Sequence, residues 1–228
     1  MTDADRFLAR FRRFGAEPSV ATYLACFHPD ATLFDSGMER PITVAQIPEH
    51  IEGILKLAQG FRMTAERWRF REPTIFVEAR NRATIAGKQA QWQSVYCIDI
   101  AGDQVLRGRR YYDRRPLFAL LAPNPPAAAR CESAPLSFAE PIASAQALAD
   151  ACATRAAERA SSFAVPDLRM EIETWAGDGE LAFLEWSASG TLAGKPLRFG
   201  VADRFDLAAG RVVAARAYWD TLALAHPA

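Results

Sequence analysis

The chain has 228 residues, half of them hydrophobic and 24% charged, with 27 Lys plus Arg set against 27 Asp plus Glu. That composition is globular and long enough for one large domain or two small ones, and a net charge of zero argues against a dedicated nucleic-acid binder. Cys26, Cys97, Cys131 and Cys152 are far apart with no CxxC spacing, which reads as reduced thiols in a cytoplasmic protein rather than a disulfide framework or zinc site. No apolar run approaches the roughly 18 residues of a membrane helix, and the N-terminus has no apolar core of a secretory signal.

Along the chain, Phe7, Leu8, Phe11 and Phe14 recur at helical spacing and predict an amphipathic first helix. Ser19 can cap a second helix running to about Phe27. Residues 28–37 read as turn, short strand and turn. Val44, Ile47, Ile51, Ile54 and Leu55 form one stripe of a third helix over 44–59. Four strands follow, near 62–71, 74–86, 89–100 and 105–114, with turns at Gly87-Lys88 and Gly102-Asp103. The expected fold class is α+β, with helices on one face of a curved antiparallel sheet.

The second half repeats the first. Residues 62–121 laid over 169–228 without gaps give about 17 identities in about 60 positions. RMTAERW (62–68) meets RMEIETW (169–175), TIAGK (84–88) meets TLAGK (191–195), and RRYYD (109–113) meets RAYWD (216–220). The second copy has no counterpart of residues 1–30. The expected domains are 1–121, complete, and 137–228, truncated, joined by a Pro/Ala-rich linker at 122–136 with Pro123, Pro125 and Pro126.

The element order, FHPDATLFD (27–35) and GRRYYD (108–113) resemble the nuclear transport factor 2-like superfamily, most of all its SnoaL-like branch. The resemblance implies a cone whose sheet and helices enclose an apolar pocket, and a convex face that packs on a partner's sheet. It is poor evidence for function, because the fold hosts isomerases, hydrolases, cyclases, dehydratases and binding proteins. Period-two alternation places Trp92, Ser94, Tyr96, Ile98 and Ile100, then Leu106, Gly108, Arg110 and Tyr112, on the pocket face. In the second copy it places Phe199, Val201, Asp203, Phe205 and Leu207, then Val213, Ala215, Ala217 and Trp219, there. Residues identical between copies on the opposite face (Arg109 and Arg216, Tyr111 and Tyr218, Asp113 and Asp220) suggest a pseudo-dimer in one chain, sheet to sheet. A second chain over the truncated copy would instead make a homo-oligomer.

Similarity to ketosteroid isomerases of this fold puts the base at Asp35. The tyrosine donor's place falls on Phe11, and that of the protonated aspartate on Tyr96, or on Asp203 in the second copy. Asp35 with Tyr96 is chemically able to move a proton next to a carbonyl. Arg110 in the same pocket would hold Asp35 ionised or bind an anionic ligand. Asp203, among apolar residues, is expected either to be neutral with a raised pKa or to be paired. The Asp–Arg–Asp set of epoxide hydrolases of this fold is not found: EARNRAT (78–84) has no Asp. Candidate catalytic residues are thus Asp35 and Tyr96. Candidate ligand-binding residues are Phe11, Tyr23, Trp92, Arg110, Tyr112, Asp203 and Trp219. Each also has a structural role open to it: Asp35 a turn, the tyrosines a place in the core, Arg110 a surface position.

His28, His50 and His226 are too scattered for a metal site, and HExxH, Walker A, GxGxxG and GxSxG motifs are missing, so no metal or cofactor is expected. The expected ligand is a small, mostly apolar molecule, bound in the first domain by an isomerase, cyclase or lyase, or by a non-catalytic module. No nucleic-acid or membrane partner is expected.

Overall fold

The computed structural model describes residues 1–122, 134–163 and 165–224. The chain divides into two compact units, Met1–Pro125 and Pro126–Ala228. Most of the expected linker, and with it Pro123, Pro125 and Pro126, lies outside the described residues, as do Cys131 and His226.

In the first unit, α1 (Asp3–Ala16) opens on a capping box in which the Thr2 hydroxyl accepts from the Asp5 amide and the Asp5 carboxylate accepts from the Thr2 amide. Its apolar stripe, Phe7, Leu8, Phe11 and Phe14, is buried. α2 (Val20–Leu24) starts at Ser19 as expected but stops short of Phe27. There the chain pairs with the last strand of the sheet: Cys26 O accepts from the Val105 amide at 2.8 Å and β1 (Phe27–Asp35) begins. A short β2 (Ile42–Thr43) and one 3₁₀ turn precede α3 (Ile47–Leu57), which carries Pro48 in its first turn, where a missing N–H costs nothing. Then come β3 (Gln59–Arg71), β4 (Thr74–Ile85), β5 (Lys88–Ala101), β6 (Gln104–Tyr111) and a helix not foreseen from the sequence, α4 (Arg115–Leu121).

The sheet order is β2-β1-β6-β5-β4-β3. β1 runs parallel to β6, and every other pair is antiparallel. The core lies between the helices and one face of this sheet: Phe7, Phe11, Phe14, Ile47, Ile51 and Tyr96 are among its members. α1 sits close to β3. A Cβ on Gly15 would lie 2.2 Å from Met63 O, so only glycine allows this approach.

The second unit contains α5 (Ala145–Thr154), α6 (Ala156–Ser161) and a four-stranded sheet, β10-β9-β8-β7, all antiparallel. Its strands are β7 (Arg169–Gly177), β8 (Leu181–Leu192), β9 (Lys195–Ala208) and β10 (Arg211–Tyr218). The last three begin and end 107 positions after β4, β5 and β6, the offset of the sequence repeat. Leu148, Cys152, Phe163, Trp186, Val201 and Phe205 form its core.

The repeat extends to irregularities of the sheets. The β5–β6 register slips between Asp99 and Ile100, leaving Leu106 as the extra residue. The β9–β10 register slips between Val212 and Ala214, leaving Val213, the counterpart of Leu106. A second matched pair of slips falls at Glu66 and Glu173. These bulges correct the face assignment. Leu106 and Val213 are 40% and 62% exposed, not in a pocket, and Ala215 is exposed as well. Their neighbours Val105 and Val212 pack inward instead, because one extra residue reverses the alternation.

Candidate functional site

Strand register assembles the polar cluster. Asp35, the last residue of β1, stands opposite Arg110 of β6, and Arg110 stands opposite Tyr96 of β5. Tyr112 lies two residues beyond Arg110. Asp35, Arg110 and Tyr96, all singled out from the sequence, therefore lie side by side across three neighbouring strands, with Tyr112 just past the end of β6.

Asp35 and Arg110 form a two-point ion pair. Arg110 Nε donates to Asp35 Oδ1 at 2.8 Å, and Nη2 donates to Oδ2. Their side chains are 7% and 11% exposed. Arg110 Nη1 donates to Tyr96 Oη at 3.4 Å and Nη2 to Tyr112 Oη at 3.3 Å, with the guanidinium 4.6 Å from the Tyr112 ring centre. Each phenol oxygen accepts here, which leaves its hydrogen free to donate onward. The Ser36 amide donates to Asp35 Oδ1 at 2.9 Å, and the Ser36 hydroxyl donates to Arg110 O at 3.1 Å. Asp35 thus serves a turn as well as the ion pair, and Gly37 completes that turn at φ +85°.

Charge follows from this geometry. Burial raises the Asp35 carboxyl, but Arg110 and His50 outweigh it and hold the group below the usual carboxylate value. Burial also opposes charge on Arg110, yet Asp35 and the two phenols hold it well above its ordinary value. The Tyr23 and Tyr112 phenols are pushed up, chiefly by burial, and stay protonated near neutrality. Asp35 is therefore a firmly ionised, weakly basic carboxylate.

Beside the cluster is a cavity of about 20 Å³ lined by Phe11, Tyr23, Cys26, Phe27, Leu33 and Tyr96, among others. It has room for about one water molecule. Its walls are aromatic: Phe11 meets Tyr96 edge-on at 4.9 Å, and Tyr23 meets Phe27 at 4.9 Å. Burial pushes the Cys26 thiol up to about 12, so it is an inert wall rather than a nucleophile. Tyr96 joins the two regions, its ring in the cavity wall and its hydroxyl on Arg110.

The other candidates lie elsewhere. Trp92 packs on Phe61 at 6.0 Å and is not in that wall. Trp219 packs on Phe163 at 5.0 Å and Phe199 at 5.8 Å in the second unit. Asp203 is fully buried, and Arg159 of α6 donates to both its oxygens, at 2.8 and 2.9 Å. Burial raises this carboxyl against the pull of Arg159, but both oxygens accept, so the alternative of a neutral hydrogen-bond donor is corrected to that of an ion pair. Arg159 was not foreseen, because its partner is 44 residues away and no motif joins them. His50 was set aside with the scattered histidines, yet α3 brings its Nε2 to 3.7 Å from Asp35 Oδ2. Among the described residues no group of three or more His, Cys, Asp or Glu could hold a metal ion.

Residues 110–215 match the family model of the SnoaL-like domain, from Arg110 to the last strand of the second unit. The match covers 106 of the 228 residues. No curated protein matches it. Among solved structures, an NTF2-like protein of unknown function from Burkholderia pseudomallei is 13% identical, with a TM-score of 0.49 over 54% of this chain and 99% of that one. A Catenulispora acidiphila protein with a ketosteroid isomerase-like fold, solved with trimethylamine, is 14% identical, with a TM-score of 0.46 over 50% and 90%. A putative SnoaL-like polyketide cyclase from Jannaschia is 11% identical, with a TM-score of 0.43 over 48% and 84%.

Proposed function

We propose that the first unit is the functional one and binds a small, mostly apolar molecule. The apolar body would lie against Phe11, Tyr23, Phe27 and Tyr96, and a polar end would meet Arg110 and the phenols of Tyr96 and Tyr112. The observation that carries this reading is Tyr96, which belongs to an aromatic wall on one side and to a buried ion pair on the other. A buried charge pair is costly to desolvate and is weak evidence for stability alone. Set beside an apolar cavity with free phenol hydrogens, it supplies orientation to a ligand. The cavity has room for about one water, far less than the roughly 300 Å³ of a ligand pocket, so entry requires the Phe11 and Tyr23 rings to swing.

Proton transfer with Asp35 as base and Tyr96 as donor is the enzymatic form of this reading. Two guanidinium bonds to Asp35 weaken it as a base, which favours binding without turnover by that carboxylate. The reading places the protein in the cytoplasm, where the buried thiols Cys26, Cys97 and Cys152 stay reduced. NMR mapping with small aromatic ketones and aromatic carboxylates tests it. Shifts should centre on Phe11, Tyr23 and Tyr96, and Arg110→Met should weaken the carboxylates about tenfold or more, as expected for loss of a charged hydrogen bond. Shifts scattered over the surface, indifferent to Arg110, would refute it.

A further inference from the structure

We infer that the outer edge of β10 is a self-association surface, at which β10 of a second copy of this chain pairs antiparallel with it about a twofold axis. This surface belongs to the second unit and takes no part in the ligand-binding reading above.

The two units, taken one at a time, show what this edge lacks. In the first, β6 lies between β5 and β1, and Arg107, Gly108, Arg109 and Arg110 pair with Thr32, Leu33, Phe34 and Asp35. Gly108 is buried there, and Leu33 Cδ1 lies 3.2 Å from where a Cβ on it would stand. The counterparts in the second unit, at the offset of the repeat, are Ala214, Ala215, Arg216 and Ala217 of β10. Among the described residues β10 pairs with β9 alone and ends its sheet. Val213, Ala214, Ala215 and Arg216 are all exposed, Val213 by 62%. An edge strand presents a row of backbone N–H and C=O groups that can pair with another strand.

Several features fit a second copy to this edge. Edge strands are commonly blunted by Lys, Pro or inward-pointing charges, yet between Arg211 and Tyr218 stand only Val, Ala and Arg216. The opposite edge of the sheet is different: β7 carries Arg169, Glu171 and Glu173 and packs against α5 and α6. The bulge at Val213 is no obstacle, since β6 has the matching bulge at Leu106 and still pairs with β1 from Arg107 onward. Charge also permits self-pairing. Opposed residues of an antiparallel pair share a face, so the twofold axis passes through a residue. An axis through Ala215 sets that alanine against its own copy and Arg216 against Ala214, with no like charges opposed. A strand like β1 fits less well, because the Cβ that Ala215 has and Gly108 lacks would crowd a side chain in the place of Leu33. Pairing of β10 with β10 is isologous, so it uses the same edge in both copies and closes.

The test is analytical ultracentrifugation of the full chain from about 1 to 100 µM, a range suited to the weak association of a small interface. The mass should rise with concentration from 25.1 kDa toward twice that value and no further. A constant 25.1 kDa, or growth past the dimer, would overturn the proposal. Ala215→Lys and Ala215→Glu each set like charges against one another at the axis, so each alone should stay at the chain mass, while an equal mixture of the two should recover the dimer. A dimer of either variant alone, at the wild-type concentration, would place the contact on another surface and overturn it. Hydrogen exchange in the wild type gives the same answer without a variant, should either fail to fold. The amides of Val213 to Ala217 that point outward should exchange more slowly as the mass doubles, and unchanged exchange along β10 in the dimer would refute the pairing.

Discussion

Arg110 is the residue on which the first unit's polar cluster depends. It gives two hydrogen bonds to Asp35 and one to each phenol. Removing it leaves a buried carboxylate without its cation, so Arg110→Met should cost about 3–5 kcal/mol in denaturant unfolding. Replacing both members by apolar residues, Asp35→Leu with Arg110→Met, should recover most of that loss, since a buried pair is costly to break but not to exchange for packing. Acid provides a second check. The Asp35 carboxyl lies lower in the folded chain than its ordinary 3.8. Its contribution is therefore complete above that value and is lost as pH falls through the folded value. The fall in stability below about pH 4 should be shallower in Asp35→Asn than in the wild type, read from melting temperatures at fixed ionic strength. The sequence showed Asp35, Tyr96 and Arg110 as candidates because motif and alternation both act locally. It did not show His50 or Arg159, whose partners are brought to them by helix packing rather than by spacing.

At the scale of elements, hydrophobic periodicity was enough to place α1, α3 and the long strands of the first unit. It failed where tertiary pairing or a bulge intervened. α2 stops at Leu24 because pairing to β6 takes Cys26 and Phe27 into the sheet. Leu106 and Val213 were assigned inward by alternation and lie outward, since one unpaired residue inverts the pattern beyond it. An extra residue leaves no mark in the apolar pattern of a single strand. Substitution separates the two arrangements. Leu106→Ala should change stability by less than about 0.5 kcal/mol, as for a surface site, while Val105→Ala should cost about 2 kcal/mol, as for a core truncation. Equal costs would reinstate the simple alternation.

At the scale of the whole molecule, two copies of one ancestral pattern have kept the strands and parted in chemistry. The first unit takes its acid from β1 and its cation from β6. Among its described residues the second has no counterpart of β1, and Ala217 stands where Arg110 would. It carries its acid at Asp203, the counterpart of Tyr96, and takes its cation from Arg159 on α6. Each unit thus has a buried Asp–Arg pair at this place in its sheet, built from different positions. The Ser162 hydroxyl also accepts from Arg159 Nη1 at 2.8 Å, and both members of the second pair are fully buried, so its expected role is to hold its own unit together. Arg159→Met should therefore lower the melting temperature and leave ligand affinity in the first unit unchanged, measured by the same NMR mapping. A loss of affinity in the folded variant would give the second unit a share in the site.

The central claim, that the aromatic cavity of the first unit receives a small molecule, is tested most directly by native mass spectrometry. The purified chain and a Phe11→Trp variant would be incubated with the small-molecule fraction of a cell extract. Phe11→Trp adds bulk to a wall enclosing about 20 Å³ and should close it. The account predicts a discrete added mass on the wild-type chain that is missing from Phe11→Trp. The bare 25.1 kDa chain in both, or the same added mass on both, would contradict it.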